Sequence, residues 1–211
     1  MAYSNWLTNI FDFIIANTDT DKDIKQFCTI KNMEEFILVK VAEEYASQIA
    51  DYRKEMLDMG SSMDGTGSLR VMENPYDFIA KCRNYEKKET LPEGMVIATQ
   101  FIYVRKSDSK IVGMIQVRHY FNEYLEKYAG HIGYSIRPTE RRKGYGADML
   151  KMVLPFCSSI GLDKVLITCN DDNIGSEKVI RANGGVYEST VFEPDEQVNL
   201  KRFWVKTNKN N

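Results

Sequence analysis

Histidine is scarce in this chain: there are two, His119 and His131. The four cysteines, at 28, 82, 157 and 169, form no Cys-x-x-Cys pair. A zinc or other metal centre is therefore not expected, because such sites need several clustered ligands at short spacing. Cys157 and Cys169 fall in apolar patterns and read as small core residues, which fits a reducing, cytoplasmic setting. An excess of charge of one sign is also missing, the formal net charge being −2 over 211 residues. No overall basic field favours nucleic acid as a partner. No apolar run approaches the roughly 20 residues needed to span a bilayer, so no membrane partner is expected. Near the N-terminus, Trp6, Leu7, Ile10, Phe11, Phe13, Ile14 and Ile15 have no Lys or Arg before them and are interrupted by Asn9 and Asp12. That argues against a signal peptide. The sequence shows neither repeats nor low-complexity tracts.

What is present is the make-up of a globular chain, 43% hydrophobic and 27% charged, at a length that suits one larger domain. Residues 1–35 form an extension whose Trp6, Ile10, Phe13 and Ile14 have helical spacing. The preferred reading is a helix packed on the main domain; a lid or a homodimer contact is the alternative. Residues 36–41 read as a strand. Residues 42–59 read as a helix with Tyr45, Ile49, Tyr52, Met56 and Met59 on one stripe. The Gly- and Ser-rich stretch 60–68 reads as a flexible loop. A second helix starts at Asn74-Pro75 and runs to about 89, with proline where its missing N–H does no harm. Strands at 96–105 and 110–119 form a hairpin around 106–109. Residues 120–130 read as a loop or short helix, and 132–136 as the next strand.

A long helix follows over 145–160, with Leu150, Val153, Leu154 and Cys157 on its apolar face and Pro155 expected to kink it. Gly161 ends it. Residues 165–169 are apolar on both faces, as an interior parallel strand should be. A short helix over 173–183 is stopped by Gly184 and Gly185. Residues 186–192 and 200–205 form a final hairpin around 194–196, and 207–211 make a polar tail.

The most informative stretch is Arg141-Arg142-Lys143-Gly144-Tyr145-Gly146-Ala147, set between the stop at Pro138 and the start of the long helix. A helix N-terminus carries unpaired N–H groups and a partial positive charge. Glycines allow the close backbone approach that cradling a phosphate requires. The three cations add attraction for an anion. On its own, such a turn reads more readily as an ordinary strand-to-helix connection.

This stretch resembles the Arg/Gln-x-x-Gly-x-Gly/Ala loop of the GCN5-related N-acetyltransferase (GNAT) superfamily, here Arg141-x-x-Gly144-x-Gly146. The segment from Arg118-His119 through Asn122-Glu123-Tyr124-Leu125 and Gly130-His131-Ile132-Gly133-Tyr134-Ser135-Ile136-Arg137-Pro138 is similar to a subgroup of predicted GNAT acetyltransferases. The order of elements over 36–206 is also that of the superfamily. The resemblance implies an α/β (α+β) fold: three layers, α/β/α, around a central mixed, mostly antiparallel sheet of about seven strands splayed in the middle.

It further implies acetyl-coenzyme A (acetyl-CoA) as co-substrate and no metal. The pyrophosphate would lie on the N–H groups from Arg142 to Ala147, including Lys143, Gly144, Tyr145 and Gly146. Arg141, Arg142 or Lys143 would reach the ribose phosphate. The pantetheine arm would bind in the gap between strands 132–136 and 165–169 like an added strand, on backbone groups of Ser135, Ile136 and Arg137. Asn173 and Ser176 share a helix face with Ile180, and the family's matching Asn contacts the coenzyme; Asn173 equally reads as a helix cap. Many members carry a Tyr at the place of Ile180 as proton donor to the leaving thiolate, which this chain lacks.

The implied reaction is direct transfer of acetyl to an amine of a small molecule or peptide. An N–H of Ile136 or Arg137 would hold the oxyanion. Glu123, His131 and His119 are candidates for the base, directly or through water; His131 reads more readily as a structural histidine, and Glu123 also reads as a solvated loop carboxylate. The acceptor is not legible. One alternative is a non-catalytic acyl-CoA binding or sensing module. Another, a nucleotide-binding protein, is disfavoured because the loop lacks both the P-loop ending and three spaced glycines.

Overall fold

The computed structural model describes residues 35–208. The expected N-terminal helix and residues 209–211 lie outside the described residues. Strands β1 (Phe36–Lys40), β2 (Ala98–Arg105), β3 (Lys110–Arg118), β4 (Ile132–Ile136), β5 (Lys164–Asn170), β6 (Val186–Glu193) and β7 (Val198–Lys206) form one sheet. Their order is β1-β2-β3-β4-β5-β7-β6. The β2/β3, β3/β4, β5/β7 and β6/β7 pairs are antiparallel and β4/β5 is parallel, so the sheet is mixed and mostly antiparallel as expected.

Alternation along β3 divides the two faces. Met114 joins a core with Ile49, Tyr52 and Met56 of helix α1 (Ala46–Asp58) and with Phe78 and Ile79 of α2 (Pro75–Tyr85). A Cβ on the preceding residue, Gly113, would stand 2.9 Å from Met149 Sδ of α3 (Tyr145–Ser159), on the other face. With α4 (Ile174–Ala182) beside α3, the layers are α/β/α. Among the described residues no helix is long and apolar enough to cross a membrane.

Local chemistry explains the boundaries. Asn74 caps α2 by accepting from the Tyr76 N–H at 3.0 Å, and Pro75 opens the helix. That helix stops at Tyr85, short of the expected 89. Residues 86–89 are all charged and have no apolar stripe to bury, and a short helical turn at Lys88–Thr90 takes over. Helix α3 runs on unbroken through Pro155. Residues 60–68 are not a free loop. Met63 is 7% exposed and Thr66 fully buried, the Thr66 hydroxyl donates to the Met63 carbonyl at 2.6 Å, and Gln100 Nε2 donates to the Gly65 carbonyl at 2.9 Å. Thr207 is still part of the domain, its N–H donating to the Asp163 carbonyl at 3.0 Å.

Candidate active site

The turn between β4 and α3 is bent by two left-handed residues, Arg142 (φ 62°) and Gly144 (φ 87°). Only the second is a glycine, so Arg142 holds a conformation that few side-chain-bearing residues adopt. Among the described residues, the N–H groups of Arg142, Lys143, Gly144 and Gly146 have no acceptor within the chain. The Ala147 N–H does: it donates to the Gly144 carbonyl at 3.0 Å. Ala147 therefore drops out of the expected set of phosphate donors. Gly146 is buried, and a Cβ there would meet Val179 of α4 at 3.1 Å, so this glycine serves helix packing as well.

The basic triplet is mostly engaged. Lys143 Nζ lies 2.8 Å from Glu140, which also holds Arg105 at 3.0 Å and Lys110 at 3.2 Å. Burial pushes the Glu140 carboxyl up, but the hydrogen bonds from Lys143, Arg105 and Lys110 outweigh it and set its pKa at about 2. Arg141 Nε donates to the Ile136 carbonyl at 3.0 Å, and its guanidinium also donates to the Ser61 hydroxyl. Arg142 alone of the three has no side-chain partner among the described residues and reaches solvent.

Strands β4 and β5 pair only at Ile132 and Ile167 and then part. On its other edge β4 is paired with β3 throughout. The Arg118 N–H donates to the His131 carbonyl and the Arg137 N–H to the Val112 carbonyl. Antiparallel alternation then turns the main-chain groups of residues 133 and 135 toward β3, and those of Tyr134 and Ile136 into the gap. This corrects two expectations. Arg137 has its N–H on Val112 and its carbonyl on the Glu140 N–H, and its side chain is pinned by Ile111 and Glu55. Ser135 faces β3, and both its carbonyl and its hydroxyl accept from the Tyr52 phenol at 3.1 Å. Ile136 remains, joined by Tyr134, which sequence reasoning missed because it treated the strand end as a block. The pairing of β4 with β3 is what separates the two sets.

Helix α4 meets the gap with its first turn. The Asn173 side chain accepts from the Ser176 N–H at 2.9 Å, so it is a cap. Ser176 Oγ lies 2.8 Å from the Tyr134 hydroxyl, tying α4 to β4 across the opening. Ile180 is fully buried.

Neither histidine is placed as a base. The Leu166 N–H donates to His131 Nδ1 at 2.9 Å, which puts the remaining proton on Nε2. His131 is 5% exposed, with the Phe121 ring at 3.9 Å between centroids. Burial, with the Arg118 charge beside it, lowers its pKa to about 4. This corrects His131 to a structural residue. His119 bonds Thr99 at 2.9 Å and lies against Phe156, and burial lowers its pKa too. Glu123 lines an open groove with Lys127, Glu188, Val191 and Arg202 beside the β6–β7 hairpin, not the gap.

Comparison with known proteins bears on the same region. Residues 36–186 match the family model described as an acetyltransferase (GNAT) domain. No curated protein matches the sequence. Among solved structures, the ribosomal-protein-S5-alanine acetyltransferase from Vibrio fischeri is similar at 17% identity. Its TM-score is 0.64, covering 84% of this chain and 96% of that one. RimJ of Mycobacterium smegmatis, in complex with CoA-disulfide, is similar at 16% identity and TM-score 0.61, covering 81% of each chain. The microcin C7 self-immunity acetyltransferase MccE, in complex with acetyl-CoA and AMP, is similar at 17% identity and TM-score 0.59, covering 82% of this chain and 92% of that one.

Proposed function

The chain belongs to the acetyltransferase (GNAT) family, and from that premise we propose that it moves an acetyl group directly from the thioester of acetyl-CoA to an amine. The observation that carries the reading is the set of four main-chain N–H groups that find no acceptor among the described residues, at the start of α3 beside a strand edge that opens into a gap. A helix start with free N–H groups suits a pyrophosphate. The Tyr134 and Ile136 edge suits the amides of a pantetheine arm, bound as an extra strand. The Ile136 N–H is the donor for the tetrahedral oxyanion. With the Arg137 N–H on Val112, it is the member of that pair that faces the gap.

The acceptor is an amine of a small molecule or of a peptide. Support comes from the similar structures, one of which is named for an alanine of a ribosomal protein. A primary amine with a pKa of about 10.4 must shed a proton before attack. With both histidines engaged, that proton leaves through water. The test is thiol release from acetyl-CoA over a panel of amines and peptide N-termini. Release that depends on one class of amine supports the reading. Tight coenzyme binding with no release on any of them favours the non-catalytic acyl-CoA sensor instead.

A further inference from the structure

Tyr134 brings a phenol to the gap that the reading above does not use. Its neighbour on the same face of β4, Ile136, lies against α3, where a Cβ on Gly146 would stand 3.6 Å from Ile136 Cγ1. Side chains two apart on a strand share a face, so the Tyr134 ring leaves β4 on the side of α3 and α4. There its hydroxyl meets Ser176 Oγ at 2.8 Å and the Ser176 carbonyl at 3.3 Å. The Cys169 thiol, at the end of β5, lies against the same serine hydroxyl. Three polar side chains from β4, β5 and α4 thus converge where the two strands separate. Ile180 contributes only hydrocarbon to the same helix.

We propose that the Tyr134 hydroxyl, oriented by Ser176, is the hydrogen-bond donor that holds the coenzyme sulfur as the acetyl group leaves it. The inference rests on the acetyl-CoA reading and adds a catalytic residue to it. Ser176 Oγ–H donates to the phenol oxygen. The phenol O–H rotates from the long bond to the Ser176 carbonyl and turns to the sulfur. The amine nitrogen bonds to the acetyl carbon, the C–S bond breaks, and its electron pair goes to sulfur. The nitrogen's surplus proton goes to water.

Tyr134 keeps its own proton throughout. A phenol with an ordinary pKa of about 10 is a weaker acid than a thiol of about 8.5, so full transfer to the thiolate runs uphill. Burial pushes the Tyr134 hydroxyl further up. The side chain therefore stabilises developing charge and is not a proton source. The thiolate takes its proton from water after it leaves.

CoA itself is the probe, so no acceptor is needed. The ultraviolet absorbance of the bound thiolate is titrated against pH, with desulfo-CoA as the blank, in the wild type, Tyr134→Phe and Ser176→Ala. The expected result is a bound thiol that ionises about one unit lower in the wild type than in Tyr134→Phe, the size of a charge-assisted hydrogen bond. Ser176→Ala falls between them, because the phenol remains but is no longer oriented. If Tyr134→Phe does not fold, the Ser176→Ala shift decides alone. Equal thiol pKa values with CoA bound overturn this proposal and leave the acetyl-CoA reading standing. Failure of the wild type to bind CoA overturns both.

Discussion

The main chain of Gly65 lies directly on that of Gly133: a Cβ at Gly65 would stand 1.9 Å from the Gly133 carbonyl oxygen. Gly65 also has φ +68°, which a side chain disfavours. This contact fastens the 60–68 segment onto β4 beside the gap. Gly65→Ala is expected to cost about 2 to 4 kcal/mol, from overpacking and backbone strain together. Gly60 is the control. It has φ +58° but nothing within 4 Å of a Cβ, so Gly60→Ala should cost only about 1 kcal/mol. Urea unfolding of the two variants measures the difference.

The cations of the loop should separate in their effects. Arg142→Ala is expected to weaken CoA binding by about 1 kcal/mol, with the loss shrinking as salt is raised. Arg141→Ala should act on stability as well, because it releases the Ile136 carbonyl and Ser61. Calorimetric binding at two ionic strengths, paired with thermal melts, distinguishes the roles.

Glu140 gives the fold an acid-sensitive point. Its pKa is about 2 in the folded chain against an ordinary 4.5. A depressed carboxylate stabilises the fold above its unfolded pKa and loses that contribution as pH falls through the folded one. Stability should therefore fall between about pH 4.5 and pH 2. Glu140→Gln should lower stability at pH 7 by about 3 kcal/mol and flatten that part of the pH dependence. Melts from pH 7 to pH 2.5 on both proteins test this.

His131 should not titrate in the working range. Its folded pKa of about 4 lies below the ordinary 6.5, so its contribution to stability is complete above about pH 6.5 and is lost on descent toward pH 4. Nitrogen-15 spectra should show a neutral ring with the proton on Nε2 from pH 8 down to about pH 5. The pH–rate profile should lack a limb from this residue.

Periodicity and punctuation made most of the framework legible. The end of β4 is legible because Pro138 lacks an N–H and stops the pairing. Of the expected α1 stripe, Ile49, Tyr52 and Met56 are buried, whereas Tyr45 precedes the helix and Met59 follows it and is exposed. What stayed hidden depended on partners distant in sequence. Glycine content made 60–68 read as flexible, whereas Gly65 is there because β4 lies against it. The triplet 141–143 reads as a phosphate patch, but Glu140 claims Lys143, and Ser61 with the Ile136 carbonyl claims Arg141, which leaves one cation of the three. Pairing of β4 with β3 decided which of Ser135, Ile136 and Arg137 faces the gap, and no local pattern carries that register. The Tyr134–Ser176 contact joins residues 42 apart and was equally out of reach.

The central claim is that the free N–H groups at the start of α3 hold a diphosphate. Amide proton shifts of Arg142, Lys143, Gly144 and Gly146, followed during titration with CoA and separately with S-acetylpantetheine, test it most directly. The account predicts large downfield shifts at these four amides with CoA and small ones with the fragment, which lacks the diphosphate. Binding of CoA that leaves all four unmoved would contradict it.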